Sequence, residues 1–118
     1  MHHTHPLPEG RPALFRATIH GIAFAERAAR VQDVRPGDPL GLFADPDDAS
    51  CEAVWVHSPT GDPLGHLPEE IAAWLAPWIR GGGTARAVAL KVGGPQVPSW
   101  RRVVVEVRCD TRAPGEAS

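Results

Sequence analysis

Long apolar runs are missing from this chain. The longest candidate, Ile71 to Ile79, falls far short of the roughly 20 residues a membrane helix needs and is interrupted by Pro77. No membrane association is expected. No positively charged start leads into an apolar stretch, so no signal peptide is read, and Cys51 and Cys109 lie far apart without Cys-x-x-Cys spacing. The expectation is a soluble, cytoplasmic protein with reduced thiols. Positive charge is also scarce: 12 Lys plus Arg stand against 14 Asp plus Glu, a net charge of -2. That balance excludes a strong non-specific nucleic-acid binder, so any such contact has to be local. Enzyme signatures are absent as well. Cys51 and His57 lie six residues apart on one strand, about 20 Å by the rise of an extended chain, too far to act as nucleophile and base. Gly81 to Gly83 follows a helical pattern and does not open one, so it is a helix stop and not a phosphate loop. His2, His3 and His5 lack a second pair of ligands to close a metal shell. No catalytic residue, metal or cofactor is assigned.

What is present is one domain's worth of chain, 118 residues with 42% hydrophobic content, 13 Pro and 12 Gly, suited to short elements joined by tight turns. Residues 1–12 read as a flexible arm, 13–109 as the folded domain and 110–118 as a flexible tail. Alternation predicts a strand over Leu14 to His20, with Leu14, Arg16, Thr18 and His20 on one face and Phe15, Ala17 and Ile19 on the other. Gly21 breaks it, and Phe24 follows in an irregular segment that carries Glu26, Arg27 and Arg30. Pro36-Gly37 turns the chain into a strand over Leu40 to Ala44, and Cys51 to His57 alternates again, closed by a hairpin turn at Ser58 to Asp62 before Leu64 to Leu67. The period then changes. Pro68, Glu69 and Glu70 open a helix whose apolar residues are Ile71, Leu75, Trp78 and Ile79, stopped at Gly81 and bent or divided by Pro77. Two further strands, Ala85 to Val92 and Trp100 to Cys109, complete the chain. This order predicts a mainly β fold: a small, partly open OB-like or SH3-like barrel of about six strands, with one helical segment between strands four and five.

Four segments in this order resemble the HIRAN domain family: G-I-A-F at 21–24, P-G-D-P-L-G-L-F at 36–43, D-P-D-D with C-E-A-V-W-V within 45–56, and G-D-P-L-G-H-L-P-E-E-I-A at 61–72. The resemblance spans roughly residues 14 to 108. It implies a small barrel related to the oligonucleotide-binding type, found alone in bacteria or fused to fork-remodelling helicases, and a pocket for the 3′ end of single-stranded DNA. By the same resemblance Phe24 stacks on a terminal base, while the basic residue before it is replaced by Ala23. The turn that holds the end nucleotide falls on Asp48 to Cys51, one residue shorter than in the family, leaving Asp48 and Ser50 as its polar groups. His66 matches a position that approaches a phosphate, the basic residue three positions later is Glu69, and Trp100 matches an aromatic late in the barrel.

Independent of family, charge is uneven: seven acids from Asp33 to Asp62 face Arg35 alone, and seven cations from Arg80 to Arg112 face Glu106 and Asp110. Either these are solvated faces that attract each other within the fold, or Arg101, Arg102, Arg86 and Lys91 track a phosphate backbone beside a stacking platform at Trp100 or Phe24. Trp74 and Trp78 are four apart on the helix and read as core, as does mid-strand Trp55; Trp100 reads as partly exposed. The function expected is a non-enzymatic module for single-stranded DNA, in particular 3′ ends, in repair or fork processing, with a helicase or nuclease as partner. Two alternatives remain: a protein-interaction domain whose acidic stretch from Asp45 to Glu52 docks a basic partner, and an accessory domain to a nuclease or hydrolase. Oligomeric state is left open.

Overall fold

The computed structural model describes residues 6–22, 27–44 and 53–110. Its elements are β1 (Leu14–Thr18), α1 (Arg27–Val31), β2 (Pro39–Ala44), β3 (Val54–His57), β4 (Pro63–His66), α2 (Glu69–Arg80), β5 (Thr84–Val92), α3 (Ser99–Arg102) and β6 (Val103–Asp110). The six strands form one antiparallel sheet in the order β1-β6-β5-β2-β3-β4. A sheet that simply ended at β1 and β4 would present two raw edges. Here it curls until they meet: just beyond β1, the His20 N–H donates to the His66 carbonyl at 2.8 Å and the His66 N–H to the His20 carbonyl at 2.9 Å. This single bridge makes the sheet a partly open barrel, the architecture expected.

Alternation sorts the two faces. Val103, Val105, Val107 and Cys109 of β6, Ala87 and Ala89 of β5, and Val54 and Val56 of β3 point into the core with Ile19, Leu64 and Leu67. Each of the larger ones adds roughly 1.5–3 kcal/mol of burial. Core position also burdens the Cys109 thiol, whose pKa is pushed up to about 11 by desolvation. No helix among the described residues is long and apolar enough to cross a membrane.

The helix α2 is one rod of 12 residues and is not divided at Pro77. Its buried stripe, Ala72, Trp74, Leu75, Ala76 and Trp78, straddles the proline, so packing on both sides holds the helical path although one backbone donor is missing. Pro77 and Ala73, four residues earlier, both lie on the exposed side. Glu69 and Glu70 in the first turn and Arg80 in the last complement the helix dipole. Trp74 and Trp78 are core residues as expected, at 8% and 9% exposure. Part of the segment read as an arm lies along the barrel: Leu7 packs on the core, and the Arg11 guanidinium sits 5.8 Å from the Trp74 ring centre, with Phe15 edge-on to the same ring at 5.6 Å.

Two helices were not legible. The irregular segment contains α1, and the strand expected from Trp100 begins only at Val103, after α3. Trp100, Arg101 and Arg102 therefore stand on a helical turn and do not alternate along a strand. Its cause is local: Pro98 supplies an extended residue (φ -52°, ψ 141°) from which the turn starts, and the Arg101 N–H returns to the Pro98 carbonyl at 2.9 Å.

Candidate nucleic-acid interface

The closing bridge brings together side chains that sequence distance conceals. His20 and His66 lie on the outer face with ring centres 6.2 Å apart. The His20 Nε2 and Thr18 Oγ1 are 3.2 Å apart, and His66 Nδ1 lies 3.1 Å from the Leu67 carbonyl oxygen. A carbonyl only accepts, so Nδ1 of His66 carries a hydrogen and Nε2 is left to engage other groups. Two glycines make this closure possible. A side chain at Gly65 would fall on the His20 carbonyl oxygen and within 2.6 Å of Ile19 Cγ2. Gly21, at φ +77°, leaves the region beside His66 Nε2 uncovered; a Cβ there would stand 3.0 Å from that nitrogen.

A cation and an indole complete the rim. Arg27, the first residue of α1, donates from Nη1 to the Gly21 carbonyl at 3.0 Å and places its guanidinium carbon 4.8 Å from the centre of the Trp55 ring. Trp55 is edge-on to His66 at 5.7 Å. Arg30 of the same helix donates to the Pro63 carbonyl at 3.3 Å, tying α1 to β4 beneath the site. A guanidinium has five N–H donors, and a planar one stacked on an aromatic keeps its edge available to a phosphate. Arg27, Trp55, His20 and His66 thus bring a cation and aromatic surface to one rim, groups that can make a charge-assisted contact to an anion and stack on a base.

Of the residues expected from sequence, Phe24, Asp48 and Ser50 lie outside the described residues. His66 is at the centre of the rim. Trp100 is 59% exposed on α3 and Arg101 is exposed beside it. That turn leads directly into Val103, whose carbonyl accepts from Ile19 N–H at 3.0 Å, so α3 borders the end of the barrel that carries His20. Arg102 is engaged otherwise: its Nε and Nη2 donate to the Val97 carbonyl at 3.2 and 2.9 Å, and Nη2 to the Pro95 carbonyl at 3.2 Å. It clasps the loop before α3 and does not reach outward as a phosphate ligand. Lys91 and Arg86 are exposed on β5, Arg86 opposite Arg108 of β6.

Sequence reasoning missed Arg27 and misplaced Trp55. Trp55 was expected in the core, yet its parity with His57 puts it on the outer face, half-buried among Arg27 and His66. The one available signal was that same parity: Val54 and Val56, the fully buried pair, alternate with it.

Comparison with known proteins agrees with the fold. The HIRAN domain family matches residues 13–108. The fold superposes on the crystal structure of the HIRAN domain of human HLTF with a TM-score of 0.60 at 16% identity, covering 87% of this chain and 78% of that one. No curated protein matches at a significant level. With the family spanning nearly all of the barrel, the chain belongs to the HIRAN domain family of DNA-binding modules.

Proposed function

We propose that this barrel is a non-enzymatic module that receives the 3′ end of single-stranded DNA at the His20–His66 rim, acting in repair or fork processing beside a helicase or nuclease. The observation that carries the reading is the position of Arg27. The family's basic residue before the stacking aromatic is replaced by Ala23 in this chain, and the Arg27 guanidinium, held at the Gly21 carbonyl, supplies a cation at the rim instead. Phe24 stacks on the terminal base, a contact worth roughly 1–3 kcal/mol. His66 and Arg27 hold phosphates, with Arg101 and Trp100 on the neighbouring turn. Asp48 and Ser50 meet the terminal hydroxyl. The reading assigns the module to the cytoplasm, where a free thiol such as Cys109 stays reduced.

Few cations face the strand, so the affinity expected is micromolar or poorer and falls steeply with salt. Fluorescence anisotropy at low salt tests it with two oligonucleotides of one sequence, ending in a 3′-hydroxyl or a 3′-phosphate. The hydroxyl end should bind better, because the phosphate brings up to two further negative charges toward Asp48. Phe24→Ala and Arg27→Ala should each weaken binding. If neither oligonucleotide binds the wild-type protein at tens of micromolar, the DNA-end reading fails and the protein-interaction alternative takes its place.

A further inference from the structure

The outer face carries a row of aromatic rings that runs away from the rim. In the strand register Phe43 of β2 is opposite Trp55 of β3, Trp55 is opposite His66 of β4, and His66 is bridged to His20. One aromatic residue per strand therefore lies along a line perpendicular to the strands. The far end of that line is the unusual part. Phe43 is 53% exposed. Its ring folds back over Gly41, with Cε2 2.8 Å from where a Cβ at that glycine would be, and rests against the His57 ring at 4.5 Å between centres. Beside the pair opens a shallow cleft of about 420 Å³ walled by Pro39, Leu40, Gly41, Phe43, His57 and Pro59.

A lone exposed phenylalanine calls for no explanation. This one is next in register to Trp55, which lies edge-on to His66 of the rim assigned above to a DNA end, and the row holds two histidines, a tryptophan under a guanidinium and no carboxylate. Rings displayed singly from adjacent strands of one sheet face are the arrangement on which successive bases of a single strand stack. We infer that Phe43 and His57 form a second stacking subsite, which takes a nucleotide several positions 5′ of the terminal one, so that the strand crosses β4, β3 and β2 along the row.

This inference rests on the proposed end-binding function and adds a length dependence to it. A ligand confined to the rim meets only the end site, whereas a longer strand reaches Phe43. Binding is compared by anisotropy for a labelled thymidine dinucleotide and an octanucleotide, both with free 3′-hydroxyls, on wild type, Phe43→Ala, Phe43→Leu and Phe43→Tyr. Thermal melting of each variant verifies folding. The expected result is that wild type binds the octanucleotide more tightly, that Phe43→Ala and Phe43→Leu lose about five-fold or more of that gain while dinucleotide affinity is unchanged, and that Phe43→Tyr retains it. Leucine keeps apolar area without a π face, so its loss separates stacking from simple hydrophobic cover. Equal affinities for wild type and Phe43→Ala at both lengths would overturn the subsite and leave the end reading intact. A loss that is the same for both lengths would overturn it too, by moving Phe43 into the end pocket. Failure of the wild type to bind either strand would overturn the end reading, and the subsite with it.

Discussion

Replacing Gly65 with alanine should damage stability and binding together, because one atom position serves both. The added Cβ would occupy the space of the His20 carbonyl oxygen and press on Ile19 Cγ2 at 2.6 Å. Backbone is the obstacle, so no rotamer change relieves it, and the His20–His66 bridge has to open. Its two hydrogen bonds, at 2.8 and 2.9 Å, contribute about 1 kcal/mol each, and forcing a methyl group into a packed site costs about 1–3 kcal/mol. The sum is about 3–5 kcal/mol, which for a domain of this size lowers Tm by at least about 10 °C. Opening the bridge also draws His66 away from His20 and from Arg27, which is held at the Gly21 carbonyl, so oligonucleotide affinity should drop even at temperatures where the variant is folded. Gly83→Ala is the matched control. Its Cβ would strike the Trp78 ring in the core, with Cε3 at 2.7 Å, costing comparable stability far from the rim. Thermal melts followed by circular dichroism, with anisotropy at a temperature where both variants remain folded, check the reasoning. A Gly65→Ala protein that melts within a degree or two of wild type, or that loses no more binding than Gly83→Ala, would refute the claim that the bridge builds the site.

Trp74→Ala should cost about 3–5 kcal/mol by denaturant unfolding, since the ring is 8% exposed and packs edge-on against Phe15. Arg102→Ala should destabilise the protein by about 1–3 kcal/mol through the freed Val97 and Pro95 carbonyls while leaving the salt dependence of DNA binding unchanged; Arg101→Ala should do the reverse. For Cys109, the folded-state pKa lies above the unfolded one, so its stabilising effect is fully present below about pH 9 and is lost as pH rises through about 11, up to about 3 kcal/mol. Urea melts across that window in a Cys51→Ser background, compared with Cys109→Ala in the same background, should show the loss only where Cys109 is retained.

The fold could be read because its determinants are local and periodic. Buried alternation from Val103 to Cys109, the acidic opening of α2 and the turn at Pro36-Gly37 each act within a few residues of themselves. Pro77 misled for the opposite reason. Its local effect is to break a helix, and only the packing of Trp74 and Trp78 on either side of it, against distant strands, decides otherwise. Parity sets His20 apart from the buried face of its strand, but the sequence reading puts Trp55 in the core, and parity says nothing about which outer faces meet.

That limit explains why the resemblance located His66 but not its surroundings. Arg27 lies 39 positions before His66 and Trp55 lies 11 before it; nothing in their spacing couples them. They meet because β1 and β4, the first and last strands across the sheet, are joined by one bridge, and because α1 is tied to β4 through the Arg30 bond to the Pro63 carbonyl. A charge missing at Ala23 in the linear motif can therefore be supplied from an element that a motif does not contain. The consequence is a specific order of effects on binding: Arg27→Ala should weaken DNA binding more than Arg86→Ala, although the cationic half of the sequence contains the second and not the first. Arg86 faces Arg108 on β5 and β6, away from the bridge, where two like charges opposite each other contribute to long-range attraction only. Anisotropy titrations of the two variants over a salt series decide between them. Equal losses, with parallel changes of slope, would mean that the strand follows the cationic face of the sheet and that the rim is not where it ends.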